Sequence, residues 1–78
     1  MEKEKKEKVS QKTLLLDYLR QYGSIEPLTA LRELGIYRLS ARIADLREDG
    51  ANIMTERVMS ISKFTGEPVY FARYNLVT

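Results

Sequence analysis

The feature that most constrains this chain is a change of period at Gly50. Upstream, apolar residues recur every three or four positions, as on one face of a helix; Leu39, Ile43 and Leu46 are the clearest set. Downstream, Ile53, Thr55, Arg57, Met59 and Ile61 alternate with Met54, Glu56, Val58, Ser60 and Ser62, and β-branched residues are frequent. That is the period of strands. Helices followed by strands in 78 residues, a length that holds one domain, predict an α+β fold around a single core.

Three helices are predicted. The first runs from a Ser10 cap to Tyr22, with Leu15, Leu19 and Tyr22 spaced by four and three and joined by Leu16 and Tyr18. Serine supplies an oxygen to the orphan N–H groups of a helix start. Gly23 ends the helix where a left-handed conformation is cheap for glycine. Ser24 and Ile25 make a short extended link that can pair, as a brief strand, with a hairpin later in the chain. Pro27 suits the first position of the second helix, and Glu26 takes the cap beside the positive end of the helix dipole. Leu28, Leu31 and Leu34 then repeat every three residues up to Gly35. A helix of only about two turns needs that apolar face packed on neighbours.

The third helix begins at Tyr37 or Arg38, runs to about Asp49 and stops at Gly50. With Leu39, Ile43 and Leu46 facing a core, its start presents Tyr37, Arg38 and Ala41 outward, with Ser40 and Arg42 on the flanks. Positive charge collects in the first half, while Asp45, Glu48 and Asp49 occupy the last turns. An exposed basic first turn on an amphipathic helix is the chemistry of a DNA reader. The plainer alternative is a solvated surface on which Arg42 pairs with Asp45.

Beyond Gly50, Val69 to Leu76 forms a second strand-like run, and Lys63-Phe64-Thr65-Gly66-Glu67-Pro68 carries turn chemistry between the two. One antiparallel hairpin is the simplest arrangement. Of the five tyrosines, Tyr18, Tyr22, Tyr70 and Tyr74 fall at core or rim positions, and Tyr37 lies near the outward start of the third helix. Within residues 1–9, residues 2–8 alternate glutamate and lysine with no apolar residue to anchor them. Residues 1–9 are predicted to form a charged flexible tail, with residues 10–78 as the domain.

Composition narrows the chemistry. Without cysteine or histidine there is no disulfide framework and no ordinary zinc site, and no cofactor or metal is expected. No histidine base, cysteine nucleophile or glycine-rich phosphate loop is present, so an enzyme is not expected. The N-terminus lacks the apolar segment of a signal peptide, and no run is long enough to span a membrane; the chain reads as cytoplasmic, without a membrane partner. Thirteen Lys and Arg against eleven Asp and Glu give a net charge of +2, a weak pointer to a polyanion.

Three helices, the last two separated by a tight glycine turn, and then a hairpin: in this order the chain resembles the winged helix-turn-helix superfamily over residues 10–76. Gly23-Ser24-Ile25-Glu26-Pro27-Leu28, Ala30-Leu31-Arg32-Glu33-Leu34-Gly35-Ile36, Arg38-Leu39-Ser40-Ala41-Arg42-Ile43 and Asp45-Leu46-Arg47 look more closely like the small helix-turn-helix domains of bacteriophages and prophages. The resemblance implies double-stranded DNA as partner, with the third helix in the major groove and the hairpin, the wing, on adjacent phosphates or in the minor groove. Carried onto this chain, Arg38, Ser40 and Arg42 would read bases with Tyr37 beside them near the helix start, Ala41 would permit close approach, and Arg57, Lys63 and Thr65 would contact phosphates. The pattern departs in two respects: the wing is less basic than in strong DNA binders, with Glu67 beside its tip, and the apolar positions after the turn glycine are shifted. The residues six and nine after the turn glycine are Ala41 and Ala44, and the larger apolar residues stand at Leu39, Ile43 and Leu46, which shifts the helix start by a residue or two.

The implied role is a sequence-specific DNA-binding protein, a transcriptional regulator of phage or mobile-element origin. The alternative is a protein-interaction module on the same fold, motivated by the near balance of charge and the acidic second half of the third helix. A module this small gains specificity by dimerising on a two-fold site or by meeting a partner protein. Leu14, Tyr18, Tyr70 and Tyr74 are the residues the sequence offers for such a contact.

Overall fold

The computed structural model describes residues 10–77; the predicted tail, residues 1–9, lies outside them. Helix α1 (Gln11–Tyr22) starts where the Ser10 hydroxyl accepts the Thr13 N–H at 3.1 Å. It ends where the Gly23 N–H reaches the Leu19 carbonyl at 2.8 Å, with Gly23 at φ 89°. Leu15 and Leu19 form its buried face. Strand β1 (Ser24–Ile25) begins directly after Gly23, as the extended link predicts.

The second helix departs from expectation. Its α-helical part, α2 (Pro27–Thr29), is a single turn that runs into a π-helical segment, Ala30–Leu34. Gly35, at φ 70°, closes it in the left-handed region, and the Ile36 N–H reaches back six residues to the Ala30 carbonyl at 3.0 Å. The wider turn changes the phase of the side chains. Ala30 and Ile36 are fully buried, Leu34 is half-buried, and Leu28 and Leu31 stay exposed. The three leucines therefore do not share one buried face. Glu26 stands at the cap but makes no capping bond; its carboxylate holds Arg73 instead, at 2.7 Å.

Helix α3 (Leu39–Glu48) buries Leu39, Ile43 and Leu46. It begins one or two residues later than the pattern predicts, because Ile36 is drawn into the core and Tyr37 and Arg38 bridge to the first turn. Strands β2 (Ile53–Ile61) and β3 (Pro68–Leu76) pair along their full length, from Ile53 opposite Leu76 to Ile61 opposite Pro68. The short β1 adds to the other side of β3, with Ile25 opposite Tyr74. The sheet is antiparallel in the order β1-β3-β2.

Because side chains alternate across a sheet, Ile25, Ile53 and Tyr74 share the face that meets α1 and α3. All three belong to one buried cluster with Leu15, Leu19, Ala30, Ile36, Leu39, Ile43 and Leu46. Only the lower half of the hairpin is anchored this way. From Arg57 to Ile61 most side chains of β2 are exposed, and the hairpin continues as a projection beyond the core.

Candidate nucleic-acid interface

The start of α3 is presented by burial of what surrounds it. Ile36 on one side and Leu39 on the other are held in the core, so the two residues between them are forced outward. Tyr37 is 84% exposed, and Arg38 is exposed and has no ion pair among the described residues. Among the described residues no side chain caps the helix, which leaves its first N–H groups able to donate to an anion. Ser40 is exposed in the first turn. Tyr37, Arg38 and Ser40 are thus all exposed at the start of a helix packed on the core.

Two neighbours differ from expectation. Ala41 is half-buried, not outward, and Ala44 is the exposed alanine of the helix. Arg42 is half-buried too, and its Nε donates to the Asp45 carboxylate at 2.9 Å. This is the plainer arrangement that the spacing allows. Arg42 also lines a shallow polar recess with Ser10, Gln11, Lys12 and Asp45, so it faces the start of α1. Lys12 in turn pairs with Asp49 at 2.7 Å. Hydrogen bonding to Asp49, followed by its charge, raises the Lys12 ammonium above its ordinary pKa. Two of the three acids at the end of α3 are thereby matched by cations.

Arg47 holds α3 against the hairpin. Its guanidinium donates twice to the Ile53 carbonyl, from Nε at 3.1 Å and a terminal nitrogen at 2.7 Å, and once to the Thr55 hydroxyl at 2.9 Å. The sequence places Arg47 only on a helix flank; nothing in the spacing tells that the turn through Gly50 brings β2 back beneath it.

On the hairpin, Arg57 is exposed but stacks over the Tyr70 ring, 4.3 Å from its centroid. Such an exposed cation–π contact is worth about 0.5–1 kcal/mol and leaves guanidinium N–H groups free at the ring's edge. Lys63 is exposed at the tip. Thr65 is exposed, but its hydroxyl accepts the Glu67 N–H at 3.2 Å, so its first role is to hold the turn. Ser62 acts likewise, accepting from Phe64 and Thr65 at 3.2 Å each. Phe64, which sequence reasoning passes over as a turn residue, is 98% exposed on this braced tip. The sequence-predicted residues accordingly fall into two groups, one at the start of α3 and one along the hairpin.

The tyrosines divide unevenly. Tyr74 is in the core, Tyr18 is half-buried with its ring centroid 4.5 Å from that of Tyr22, and Tyr22 and Tyr70 are exposed. Among the described residues there is no cluster of three or more acidic, histidine or cysteine side chains able to hold a metal, and no helix is long and apolar enough to cross a membrane.

No curated protein and no solved structure matches the chain. A family model described as a winged helix-turn-helix domain matches residues 10–78, which takes in every element from α1 to β3. A left-handed glycine turn between the second helix and α3, a hairpin projecting as a wing, and a short strand closing the sheet are the parts of that domain, and the chain belongs to the winged helix-turn-helix family.

Proposed function

We propose that the chain binds double-stranded DNA sequence-specifically, with the first turn of α3 in the major groove and the wing beside it, and that it acts in the bacterial cytoplasm as a transcriptional regulator of a phage or other mobile element. The observation that carries this reading is the exposure of Tyr37, Arg38 and Ser40 at the start of a helix whose opposite face is fixed in the core. Arg38 is the principal base reader, because its guanidinium is free to meet guanine O6 and N7 together. Ser40 contributes a base or phosphate contact, and Tyr37 packs against the backbone. Arg42 contributes less than spacing alone suggests, since contact with DNA competes with Asp45. Arg57 and Lys63 add phosphate contacts from the wing. The phage or mobile-element assignment is supported by the residue pattern from Gly23 to Arg47.

Selection from a random pool of duplex DNA, followed by anisotropy titration of the enriched site, tests the proposal. Arg38→Ala is expected to lose roughly 10-fold to 100-fold in affinity, the worth of one good base contact. Arg42→Ala is expected to lose less. No enrichment at low salt, or an Arg38→Ala variant that binds like the parent, overturns the reading. One observation favours a protein partner instead: Leu28, Leu31 and Phe64 are all exposed on a surface of nearly balanced charge. That reading predicts no DNA enrichment at any salt concentration.

A further inference from the structure

Hydrogen-bond accounting along the sheet leaves one long edge open. The Val77 N–H donates to the Asn52 carbonyl at 2.8 Å and the Ser62 N–H to the Glu67 carbonyl at 2.9 Å. In an antiparallel ladder backbone groups alternate in direction, so the even-numbered residues of β2 turn theirs toward β3. The odd-numbered residues, Ile53 to Ile61, turn theirs away, to the side where, among the described residues, the sheet has no further strand. Arg47 occupies the first of these carbonyls, that of Ile53. Arg57, Met59 and Ile61 keep an outward N–H and carbonyl each.

This edge lacks the usual protection. Proteins guard exposed edges with proline, lysine, bulges or a covering element; Val58-Met59-Ser60-Ile61 has no proline and no charge, and its pairing with β3 is unbroken. Met59 and Ile61 are about half exposed, at 52% and 54%. The opposite side of the sheet is different. There β1 takes up the end of β3, with the Leu76 N–H bonded to the Gly23 carbonyl at 2.9 Å, α2 packs nearby, and Pro68 has no N–H to give.

We infer that β2 pairs with β2 of a second copy of this chain, antiparallel about a two-fold axis at Met59, to make a continuous six-stranded sheet. The axis position follows from what it must avoid. Centring at Arg57 would set two guanidinium groups opposite one another, and centring nearer Ile53 would collide with the Arg47 clamp. At Met59, each Met59 exchanges both backbone bonds with its counterpart, Arg57 lies opposite Ile61, and Val58 lies opposite Ser60. Because the hairpin projects from the core, its outer half can meet a second hairpin without the two bodies touching. Because a two-fold pairing uses the same edge of both copies, it closes at two copies. A five-residue pairing buries less than about 1,200 Å², so the dimer is weak, in the micromolar range, and depends on concentration. The contact is not the one that Leu14, Tyr18, Tyr70 and Tyr74 suggest from sequence, since Tyr74 lies in the core.

Sedimentation equilibrium of the chain without DNA tests this independently of its function. The expected mass rises from 9.1 kDa toward twice that value between roughly 1 and 500 µM protein. Amide exchange of Arg57, Met59 and Ile61 slows over the same range, while that of Val58, already bonded to β3, does not change. Met59→Pro removes an outward N–H that no ladder bond uses, and Met59→Lys sets two like charges face to face at the axis. Each is expected to weaken the dimer at least about tenfold. If the proline variant fails to fold, the lysine variant decides. A 9.1 kDa species at every concentration, or a dimer that Met59→Lys leaves unchanged, overturns the inference.

Discussion

Arg47 offers the sharpest test of how α3 is tied to the hairpin. Replacing it by Met keeps the aliphatic stem and removes three donated bonds, two to the Ile53 carbonyl and one to the Thr55 hydroxyl. Hydrogen bonds from a charged donor contribute about 1.5–3 kcal/mol when fully buried. Here Arg47 is exposed and Thr55 is exposed, and water can replace the donor at both acceptors, which brings the loss to about 1 kcal/mol. In a domain of this size that lowers Tm by roughly 4–8 °C. Arg47→Lys keeps the charge but lacks the planar fork that spans both acceptors, and should recover about half of the loss. Thr55→Val in the Arg47→Met background should add almost nothing, since its partner is already gone. Urea unfolding of the four chains by circular dichroism measures all of these terms. An Arg47→Met variant within about 0.2 kcal/mol of the parent, or a Lys variant as stable as Arg, would refute the clamp.

Ile43 is fully buried, and Ile43→Ala should cost about 2–5 kcal/mol in the same urea assay, a large share of the stability of so small a domain. Gly35 stands at φ 70° with open space where a Cβ would go, so Gly35→Ala should cost about 1–2 kcal/mol through backbone strain alone, and Gly35→Asn less. The Lys12 ammonium is raised by its bond to Asp49. A raised lysine contributes stability that is fully present below its unfolded pKa, ordinarily 10.5, and is lost as pH rises through the folded value. The Tm difference between the parent and Lys12→Met should therefore shrink above that pH, and a difference that stays constant to about pH 12 would count against the pair.

What could be read from the sequence was whatever short-range chemistry decides. Ser10 and Gly23 bound α1 because a hydroxyl and a missing Cβ act on the next few residues. Ile25 reads as a strand because a β-branched residue sits between a glycine turn and a proline start, and the core cluster holds the periodic residues Leu39, Ile43 and Leu46. The π-helical turn was not legible, since Leu28, Leu31 and Leu34 satisfy an α-helical pattern that the extra residue breaks. Arg47 on Ile53, Lys12 on Asp49 and Arg73 on Glu26 join elements whose relative placement no spacing records. Tyr70 and Tyr74 lie on the same strand face and differ only in how far the hairpin has left the core. Of the candidate site, Tyr37, Arg38 and Lys63 could be read as exposed; the engagement of Arg42, Arg57 and Thr65 with their neighbours could not.

The acidic end of α3 bears on how the helix would meet DNA. Asp45 and Asp49 are paired with Arg42 and Lys12, which leaves Glu48, exposed and without an ion pair among the described residues, as the free acid of the outer face. It lies ten residues after Arg38, about 15 Å along the helix axis. That separation is nearly two Debye lengths at physiological salt, where the screening length is about 8 Å. If α3 enters the groove by its first turn, the Glu48 charge is therefore largely screened from the phosphates nearest Arg38. Glu48→Gln should change affinity for a selected duplex by less than about twofold at about 0.15 M salt, and by more only when salt is lowered. If α3 instead lies along the groove, Glu48 sits among phosphates or against a cytosine amino group, and its removal changes affinity at the same salt by as much as Arg38→Ala does. Equal and large effects of the two substitutions would exclude the end-on approach.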